Sequence, residues 1–260
     1  RDWSVTGVQT CALPIWVATR DPATALYRKF FVGIFIVVGA SRGIGAAVAE
    51  HLAAQGHQLI TVSRSPSNFG RWVEADVSTR KGLKAVHSAI DNAVLDGLLY
   101  MGGTWETDAF TSDYSFENCS DRDTETVIGV NLLAPIRLVQ ALLPNLRQSD
   151  NPKIVFMGAL SGLDNFPGRE VANTASKFGL RGVVHGLREE LRPDRIAVSV
   201  INPGNVGTPE VLSDLQAAGK AEDSVITLSD SSFGLYFVGF SLHLHQRGAD
   251  AGDAGSGSVI

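Results

Sequence analysis

The feature that most constrains the fold is a glycine-rich turn between a predicted strand and a predicted helix. The stretch VVGASRGIGAAVAE places Gly39, Gly43 and Gly45 at the end of the apolar run 34–40. Glycines at such a turn let the backbone bend sharply and approach a pyrophosphate, while the following helix N-terminus offers unbonded N–H groups and a positive dipole end. The pattern therefore predicts a dinucleotide-binding strand–turn–helix unit.

Strand and helix patterns alternate along residues 34–210, which is typical of a parallel sheet covered by helices. The predicted strands are 34–40, 58–64, 71–77, 96–103, 153–159 and 196–204. The predicted helices are 43–56, 79–93, 123–148 and 172–192. The expected fold class is α/β: a single-domain Rossmann-type doubly wound parallel sheet with helices on both faces. In such sheets ligands bind beyond the carboxyl ends of the strands.

Composition excludes several classes of protein. The chain has 260 residues, of which 44% are hydrophobic, and this suits one α/β domain. A net charge of −5 argues against a nucleic-acid partner. The two cysteines, Cys11 and Cys119, make neither a disulfide framework nor a metal cluster, so we expect a reduced cytoplasmic protein without a metal site. The apolar run 30–40 is shorter than the roughly 20 residues of a membrane span, and we expect no membrane contact.

Both ends of the chain lack the periodicity of the middle. Residues 5–15 read like a sequencing-library adapter translated in frame, so we interpret residues 1–16 as a disordered artefact outside the fold. We assign residues 17–230 to the dinucleotide-binding domain. Residues 231–260 fit no amphipathic helix and end in a Gly-, Ala- and Asp-rich stretch, which a frameshift in the gene would explain.

Several motifs in the middle of the chain occur in a familiar order. They are the Gly-x-x-x-Gly-x-Gly turn at 39–45, the pair Asp76–Val77, the sequence Met-Gly-Gly at 101–103, Asn131, Lys177 and the turn PGNVGT at 203–208. In this order and spacing they resemble the short-chain dehydrogenase/reductase family over about residues 34–228. Met-Gly-Gly stands where that family usually has Asn-Ala-Gly, so this element is only partly kept.

The resemblance implies a nicotinamide cofactor and assigns roles to these positions. Asp76–Val77 would contact the adenine, and the turn at 203–208 would lie beside the nicotinamide. The candidate cofactor-binding residues are Gly39, Ser41, Arg42, Gly43, Ile44, Gly45, Arg64, Asp76, Val77, Gly102, Gly103, Lys177, Pro203, Gly204, Val206 and Thr208.

The residues after the second predicted strand favour one form of the cofactor. Folds that prefer NAD place a carboxylate there for the ribose 2′-OH, but residues 62–67 read VSRSPS and contain no acid. Arg64 is present instead, and Arg42 lies in the glycine turn. Two guanidinium groups can bind a 2′-phosphate through charge-assisted hydrogen bonds. We therefore expect NADP(H) rather than NAD(H), with two solvated surface arginines as the alternative interpretation.

The resemblance also implies a catalytic tetrad of Asn, Ser, Tyr and Lys, in which the tyrosine exchanges a proton with the substrate oxygen. Asn131 and Lys177 match two of these positions. The tyrosine position is Asn173, and the serine position is Ala159. An amide does not titrate near neutral pH, so Asn173 cannot serve as a general acid.

Other side chains are weaker candidates for the missing groups. Ser161 lies two residues after the serine position, Tyr114 lies in the polar loop 104–121, and Glu170 lies three residues before Asn173. A carboxyl group can donate a proton when burial raises its pKa. We interpret Tyr100 and Tyr114 as structural, Glu170 as a loop surface charge, and His185 as a packed core histidine.

Two functions from different classes remain open at this stage. The first is an atypical or weak NADP(H)-dependent oxidoreductase acting on a carbonyl or alcohol. The second is a non-catalytic NADP(H)-binding sensor or scaffold, and a gene fragment without stable function is a third possibility. The resemblance implies a homodimer or homotetramer through helices 123–148 and 172–192. Aromatic residues in the polar loop, Trp105, Phe110 and Phe116, hint at an apolar or aromatic small-molecule ligand.

Overall fold

The computed structural model describes residues 32–166, 168–217 and 226–228. The interpretations of residues 1–16 and 231–260 lie outside these residues, as does the start of the domain expected from residue 17. The strands are β1 (Ile34–Val38), β2 (Gln58–Ser63), β3 (Arg71–Glu74), β4 (Gly97–Tyr100), β5 (Lys153–Met157), β6 (Ala197–Ile201), β7 (Val206–Gly207) and β8 (Ile226–Thr227). The helices are α1 (Gly43–Ala54), α2 (Arg80–Ile90), α3 (Asp121–Ile128), α4 (Ala134–Leu146), α5 (Val171–Glu190) and α6 (Pro209–Ala217).

Six strands form one parallel sheet in the order β3-β2-β1-β4-β5-β6. The order reverses between β1 and β4, which lie side by side with Phe35 opposite Gly97 and Val38 opposite Tyr100. This reversal opens the crevice in which doubly wound sheets bind their ligands. The predicted fold class is therefore confirmed. A separate parallel pair, β7 and β8, joins Val206 to Ile226.

Alternating side chains of the strands build two apolar cores. Ile36 and Val38 face one core, in which α2, α4 and α5 contribute buried side chains such as Leu138 and Leu180. Val37 faces the other core, which α1 covers. Because strand side chains alternate in direction with a period of two, such continuous apolar strands require helices on both faces.

The third predicted helix is divided in the structure. Its first part, α3, begins at Asp121, two residues earlier than predicted. The Ser120 hydroxyl caps this helix by accepting a hydrogen bond from Asp123 N at 3.1 Å. Between α3 and α4 the residues Gly129–Leu133 form one wider π-helical turn. The helical axis is continuous, but this turn changes which side chains face the sheet.

The segment Asp121–Leu146 is long and apolar enough to cross a membrane by length and composition. Its apolar face is occupied in the fold, because Leu138, Leu142 and Leu146 are fully buried in the same core as Ile154 of β5. Core packing against the sheet therefore accounts for its apolar character.

Candidate active site and cofactor cleft

The glycine turn after β1 is shaped by backbone contacts that exclude side chains. Gly39 has φ +84° and donates from its N–H to Val62 O at 2.8 Å. A Cβ on Gly39 would lie 2.7 Å from Gly102 N, and a Cβ on Gly45 would overlap the Gly39 carbonyl oxygen. The turns after β1 and β4 are therefore in direct contact, which leaves room only for glycine at these positions. Glycine-rich turns of this kind allow the backbone to approach a pyrophosphate closely.

The N-terminus of α1 is open to an anion. Gly43 has φ +55°, and Arg42 at the N-cap has extended backbone and provides no side-chain cap. The first turn of α1 contains no acidic residue, so the positive end of the helix dipole is not neutralised there. Ser41 and Ile44 are half-buried in the same turn. The arrangement fits a phosphate group, which helix N-termini bind through N–H groups.

The candidate adenine end lies beyond β2 and β3. Arg64 directly follows β2 and is exposed, as is Arg42 in the glycine turn. Asp76 Oδ1 accepts hydrogen bonds from Ser78 N at 3.0 Å and from Ser78 Oγ at 2.6 Å, which shapes the turn into α2. Val77 is buried beside it. Both arginines are thus on the ligand-binding edge of the sheet.

The turn Pro203–Thr208 closes the cleft from the side of β6. Thr208 lies against the glycine turn, since a Cβ on Gly43 would be 3.4 Å from Thr208 Cγ2. Thr208 Oγ1 also accepts a hydrogen bond from Val211 N at 3.3 Å at the start of α6. Val206 is buried in β7, and Gly204 faces Leu160. The structure thus brings the predicted turn next to the predicted phosphate site.

Asn131 lies in the π-helical turn between α3 and α4 and is 1% exposed. Its Oδ1 accepts from Thr104 N at 2.9 Å, and its Nδ2 donates to Thr104 O at 2.8 Å. Nδ2 also lies 3.1 Å from Ser176 Oγ. These bonds hold the loop after β4 against α5. Single π-helical turns are frequent at functional sites because they re-aim one side chain.

Tyr100 supports this turn from below. Its hydroxyl donates to Val130 O at 2.6 Å, and the ring is 1% exposed. Burial, with a smaller contribution from the charge of Asp76, raises the pKa of Tyr100 far above its ordinary value. Tyr100 is therefore a structural residue of the turn, as interpreted from the sequence, and near neutral pH it holds its proton in the hydrogen bond to Val130 O.

Lys177 lies one turn after Asn173 on α5 and is 7% exposed. Its Nζ donates to Met157 O at 3.0 Å, at the carboxyl end of β5. Burial lowers the pKa of Lys177 from 10.5 to about 8. A Cβ on Gly103 would lie 3.8 Å from both Lys177 Nζ and Asn131 Oδ1, so these two polar atoms face the same glycine.

Asn173, at the tyrosine position, is 4% exposed and lies between two polar groups. Its Oδ1 is 3.4 Å from Asn131 Nδ2, and its Nδ2 is 3.5 Å from Ser161 Oγ. Ala159, at the serine position, has extended backbone and precedes the 3₁₀ turn Leu160–Gly162. The structure therefore brings Asn131, Asn173 and Lys177 together. Residue 159 supplies no hydroxyl group, and the nearby hydroxyl next to Asn173 is that of Ser161.

Sequence reasoning missed Glu106, a carboxylate of the loop after β4 that is 2% exposed. Its Oε1 accepts hydrogen bonds from Ala172 N at 2.7 Å and Asn173 N at 3.1 Å, in the first turn of α5. Its Oε2 is buried and has no hydrogen-bond partner among the described residues. A capping carboxylate usually lies beside its helix in sequence. No local signal separates Glu106 from the other acids of its loop.

Three more hydrogen bonds join this loop to the start of α5. Phe110 N donates to Glu170 Oε1 at 3.0 Å, Val171 N donates to the Tyr114 hydroxyl at 3.2 Å, and Arg169 Nη2 donates to Tyr114 O at 3.2 Å. Glu170 is 6% exposed, so its interpretation as a surface charge is wrong. Burial is the largest cause raising the pKa of Tyr114, which acts here as an acceptor.

The loop presents an aromatic pair on its outer side. The rings of Trp105 and Phe110 meet edge to face with centroids 5.7 Å apart, and they are 56% and 64% exposed as residues. His185, in contrast, is not packed in the core as interpreted from the sequence. It is exposed on α5, because Val184 occupies the buried position beside it.

Comparison with known proteins agrees with this architecture. A model of the short chain dehydrogenase family matches residues 33–217. The short-chain reductase protein NovJ of Streptomyces niveus is 28% identical over 222 residues, covering 79% of this chain and 81% of NovJ. The short-chain dehydrogenase/reductase olcF of Penicillium canescens is 28% identical over 185 residues, covering 67% of this chain and 69% of olcF.

Solved structures show the same fold. A short chain dehydrogenase from Shigella flexneri complexed with NADP superposes with a TM-score of 0.67 at 25% identity, covering 78% of this chain and 90% of that one. One from Escherichia coli CFT073 complexed with NADPH superposes with a TM-score of 0.68 at 25% identity, covering 80% and 92%. The glycine turn, the sheet order and the lysine on α5 thus have one explanation: this chain belongs to the short-chain dehydrogenase family, whose members bind nicotinamide cofactors.

Proposed function

We propose that this protein is an NADP(H)-dependent oxidoreductase that reduces a carbonyl group or oxidises the corresponding alcohol, with an atypical proton-transfer site. The observation that carries the proposal is the position of Lys177 and Asn131. Both face Gly103 at the carboxyl ends of the central strands, beside the open N-terminus of α1. A cofactor whose pyrophosphate lies at that helix end would extend toward them.

The preference for NADP(H) rests on charge at the end of β2. Arg64 and Arg42 are both exposed on the ligand-binding edge, and residues 62–67 contain no carboxylate. A 2′-phosphate bound between two guanidinium groups gains charge-assisted hydrogen bonds that a free 2′-hydroxyl cannot make. Relatives of known structure at 25% identity were solved with NADP and NADPH, which supports the same preference.

The residues of the cleft would have separate roles in binding the cofactor. The bound cofactor supplies or accepts the hydride. The glycine turn and the N-terminus of α1 would hold the pyrophosphate, and Lys177 and Thr208 would position the nicotinamide half. Asn131 would keep the loop after β4 in register with α5 through its paired bonds to Thr104.

The site is weak in proton transfer compared with a complete tetrad. A positioned general acid contributes about 10²–10⁴ in rate, and one oxyanion partner contributes about 10²–10³, though such effects are not additive. Asn173 and Ala159 supply neither group. We therefore expect slow turnover on ordinary ketones and faster turnover on activated carbonyls, which need less help from an acid.

The paired substitution favours a second candidate, a non-catalytic NADP(H)-binding sensor or scaffold. Ala159 and Asn173 occupy the two positions that would touch the reacting oxygen, whereas most of the cofactor positions are kept. A protein that only binds the cofactor needs no group at either position. Binding without turnover is the result that this candidate requires.

The test begins with NADPH binding, followed by fluorescence, with NADH alongside. Phenanthrenequinone, para-nitrobenzaldehyde and acetophenone are then added, and NADPH oxidation is recorded at equal concentrations of each. Tight NADPH binding with substrate-dependent oxidation supports the oxidoreductase. Tight binding without oxidation of any of the three supports the sensor or scaffold. Absence of binding refutes both. Gly45→Val is the control, because a side chain there overlaps the Gly39 carbonyl and should abolish binding.

A further inference from the structure

A proton for the substrate oxygen must come from a group close to Asn173. Among the described residues, the charged and titratable groups on the elements around it include Glu106 and Tyr114 from the loop after β4, Asp164 after β5, and Arg169, Glu170, Lys177 and Arg181 on or beside α5.

Most of these groups are committed elsewhere. Burial raises the pKa of Tyr114, so its hydroxyl, which accepts from Val171 N, holds its own proton tightly. Glu170 Oε1 accepts from Phe110 N at 3.0 Å. Arg181 Nη1 donates to Gly162 O at 2.8 Å and lies 3.4 Å from Asp164. A guanidinium does not release its proton near neutral pH. These four groups are therefore poor donors for the reacting oxygen.

Lys177 differs from them because its ammonium group has N–H protons that are not used in hydrogen bonds among the described residues. Among the described residues, Nζ makes one hydrogen bond, to Met157 O, and an ammonium carries three protons. The short side chain of Asn173 puts no aromatic ring between this nitrogen and the cleft, and Gly103 has no side chain to cover it. Nζ therefore has protons to give on the side where the cofactor and substrate would meet.

We propose that the Lys177 ammonium is itself the proton donor to the substrate oxygen in reduction, a role for which the chain has no tyrosine. The inference rests on the proposed oxidoreductase function. In the step, a C–H bond forms at the carbonyl carbon from the hydride that NADPH supplies, and an O–H bond forms from a proton of Nζ. The electrons of the broken N–H bond stay on nitrogen. The neutral amine then takes a proton from solvent, so the net consumption is NADPH and one proton.

The pH dependence follows from the state of this amine. Burial lowers the pKa of Lys177 to about 8, and no neighbouring charge contributes to the shift. The donor form is present below that pH and is lost above it. Reduction should therefore be constant at lower pH and fall about tenfold per pH unit above about 8. Alcohol oxidation, which needs the neutral amine, should rise over the same range.

The first measurement titrates the amine directly, without a substrate. Protein labelled with ¹³C at lysine Cε should show two signals that titrate near 8, from Lys177 and Lys153, because burial also lowers the pKa of Lys153 to about 8. Each signal is assigned by its loss in Lys177→Arg or Lys153→Met. Lys153 lies at the other end of β5 and bonds to Asn151 O, so Lys153→Met is the matched control for chemistry.

The second measurement is NADPH oxidation with para-nitrobenzaldehyde as a function of pH. Lys177→Arg keeps the positive charge, but a guanidinium does not release a proton near neutral pH, so the rate should fall by about 10²–10⁴. NADPH affinity should change by less than about tenfold, and Lys153→Met should keep the wild-type rate. The wild-type rate should decline at the pH at which the Lys177 signal titrates. The NMR titration and the pH–rate profile must therefore give the same pKa, and both must be altered by substitution of Lys177.

Three results would overturn the inference while leaving the oxidoreductase intact. They are a rate that stays level through the Lys177 titration, a Lys177→Arg variant within about threefold of wild type, and loss of the pH dependence in Glu106→Gln instead. The last would assign the proton to the unpartnered carboxylate oxygen of Glu106. NADPH binding without any wild-type turnover would refute both the donor role and the oxidoreductase.

Discussion

Replacing Glu106 by alanine tests whether one loop carboxylate organises the start of α5. The substitution removes the acceptor of two backbone N–H groups, those of Ala172 and Asn173, whose residues are 8% and 4% exposed. A buried donor left without a partner costs about 1–3 kcal/mol, so two such donors cost about 2–6 kcal/mol. Removal of the unpartnered Oε2 offsets part of this cost. We expect a net loss of about 3 kcal/mol in the free energy of unfolding.

Glutamine at the same position separates hydrogen bonding from charge. Glu106→Gln keeps one carbonyl oxygen that can accept from both N–H groups and places an amide nitrogen where Oε2 now lies. We expect it to cost about 1 kcal/mol, because the shared acceptor is retained. Glu117→Ala is the matched control, since Glu117 is an exposed acid of the same loop and should change stability by less than about 0.5 kcal/mol.

The assay is urea and thermal unfolding followed by circular dichroism, with amide hydrogen exchange at Ala172 and Asn173. For a domain of about 150–250 residues, 3 kcal/mol corresponds to a fall in Tm of roughly 6–12 °C. The two amides should exchange faster in Glu106→Ala than in Glu117→Ala. The reasoning would be refuted by an alanine variant as stable as the control, or by a glutamine variant that loses as much stability as alanine.

Two further predictions concern the cofactor cleft. Gly45→Ala should destabilise the glycine turn and weaken NADPH binding by more than tenfold, because its Cβ would overlap the Gly39 carbonyl. Gly186→Ala is the matched control in α5: its Cβ would meet nothing within 4 Å, and it should raise the free energy of unfolding by about 0.5–1 kcal/mol. Arg64→Ala should weaken NADPH binding about tenfold, or roughly 1.4 kcal/mol, and leave NADH binding unchanged; fluorescence titration of both cofactors checks it, and equal losses for both would contradict the 2′-phosphate assignment.

The sheet was predictable from the sequence because each buried strand is a short apolar run bounded by turn residues. All six main strands were placed, and the predicted ranges run past the observed ends by up to three residues. Ile34–Val38, for example, ends before Gly39 because the glycine turn begins there. The doubly wound sheet was predicted as a fold class, and the structure places the reversal of its strand order between β1 and β4. The strands could be predicted because each one depends on a short run of neighbouring residues.

The contacts that shape the candidate site are not local. Glu106 meets Ala172 across 66 residues of sequence, and Asn131 meets Ser176 across 45. A polar residue in a loop has no periodic pattern that reveals its burial, so the sequence does not single out Glu106 and favours a surface charge at Glu170. The π-helical turn at Gly129–Leu133 was also unreadable, since one extra residue in a turn barely changes an apolar helical pattern.

Binding and chemistry depend on different parts of this chain, so they can be lost separately. The cofactor cleft is built mainly from backbone: glycines with positive φ, an open helix N-terminus and two turns in contact. In the proposed reaction, proton transfer would depend on single side chains at residues 159, 173 and 177. Two substitutions there can remove most of the rate without disturbing the cleft, because Asn173 fits between Asn131 and Ser161 without leaving a buried polar gap. Membership of the family therefore predicts a nicotinamide cofactor well, whereas the reaction must be argued from Lys177 and its neighbours.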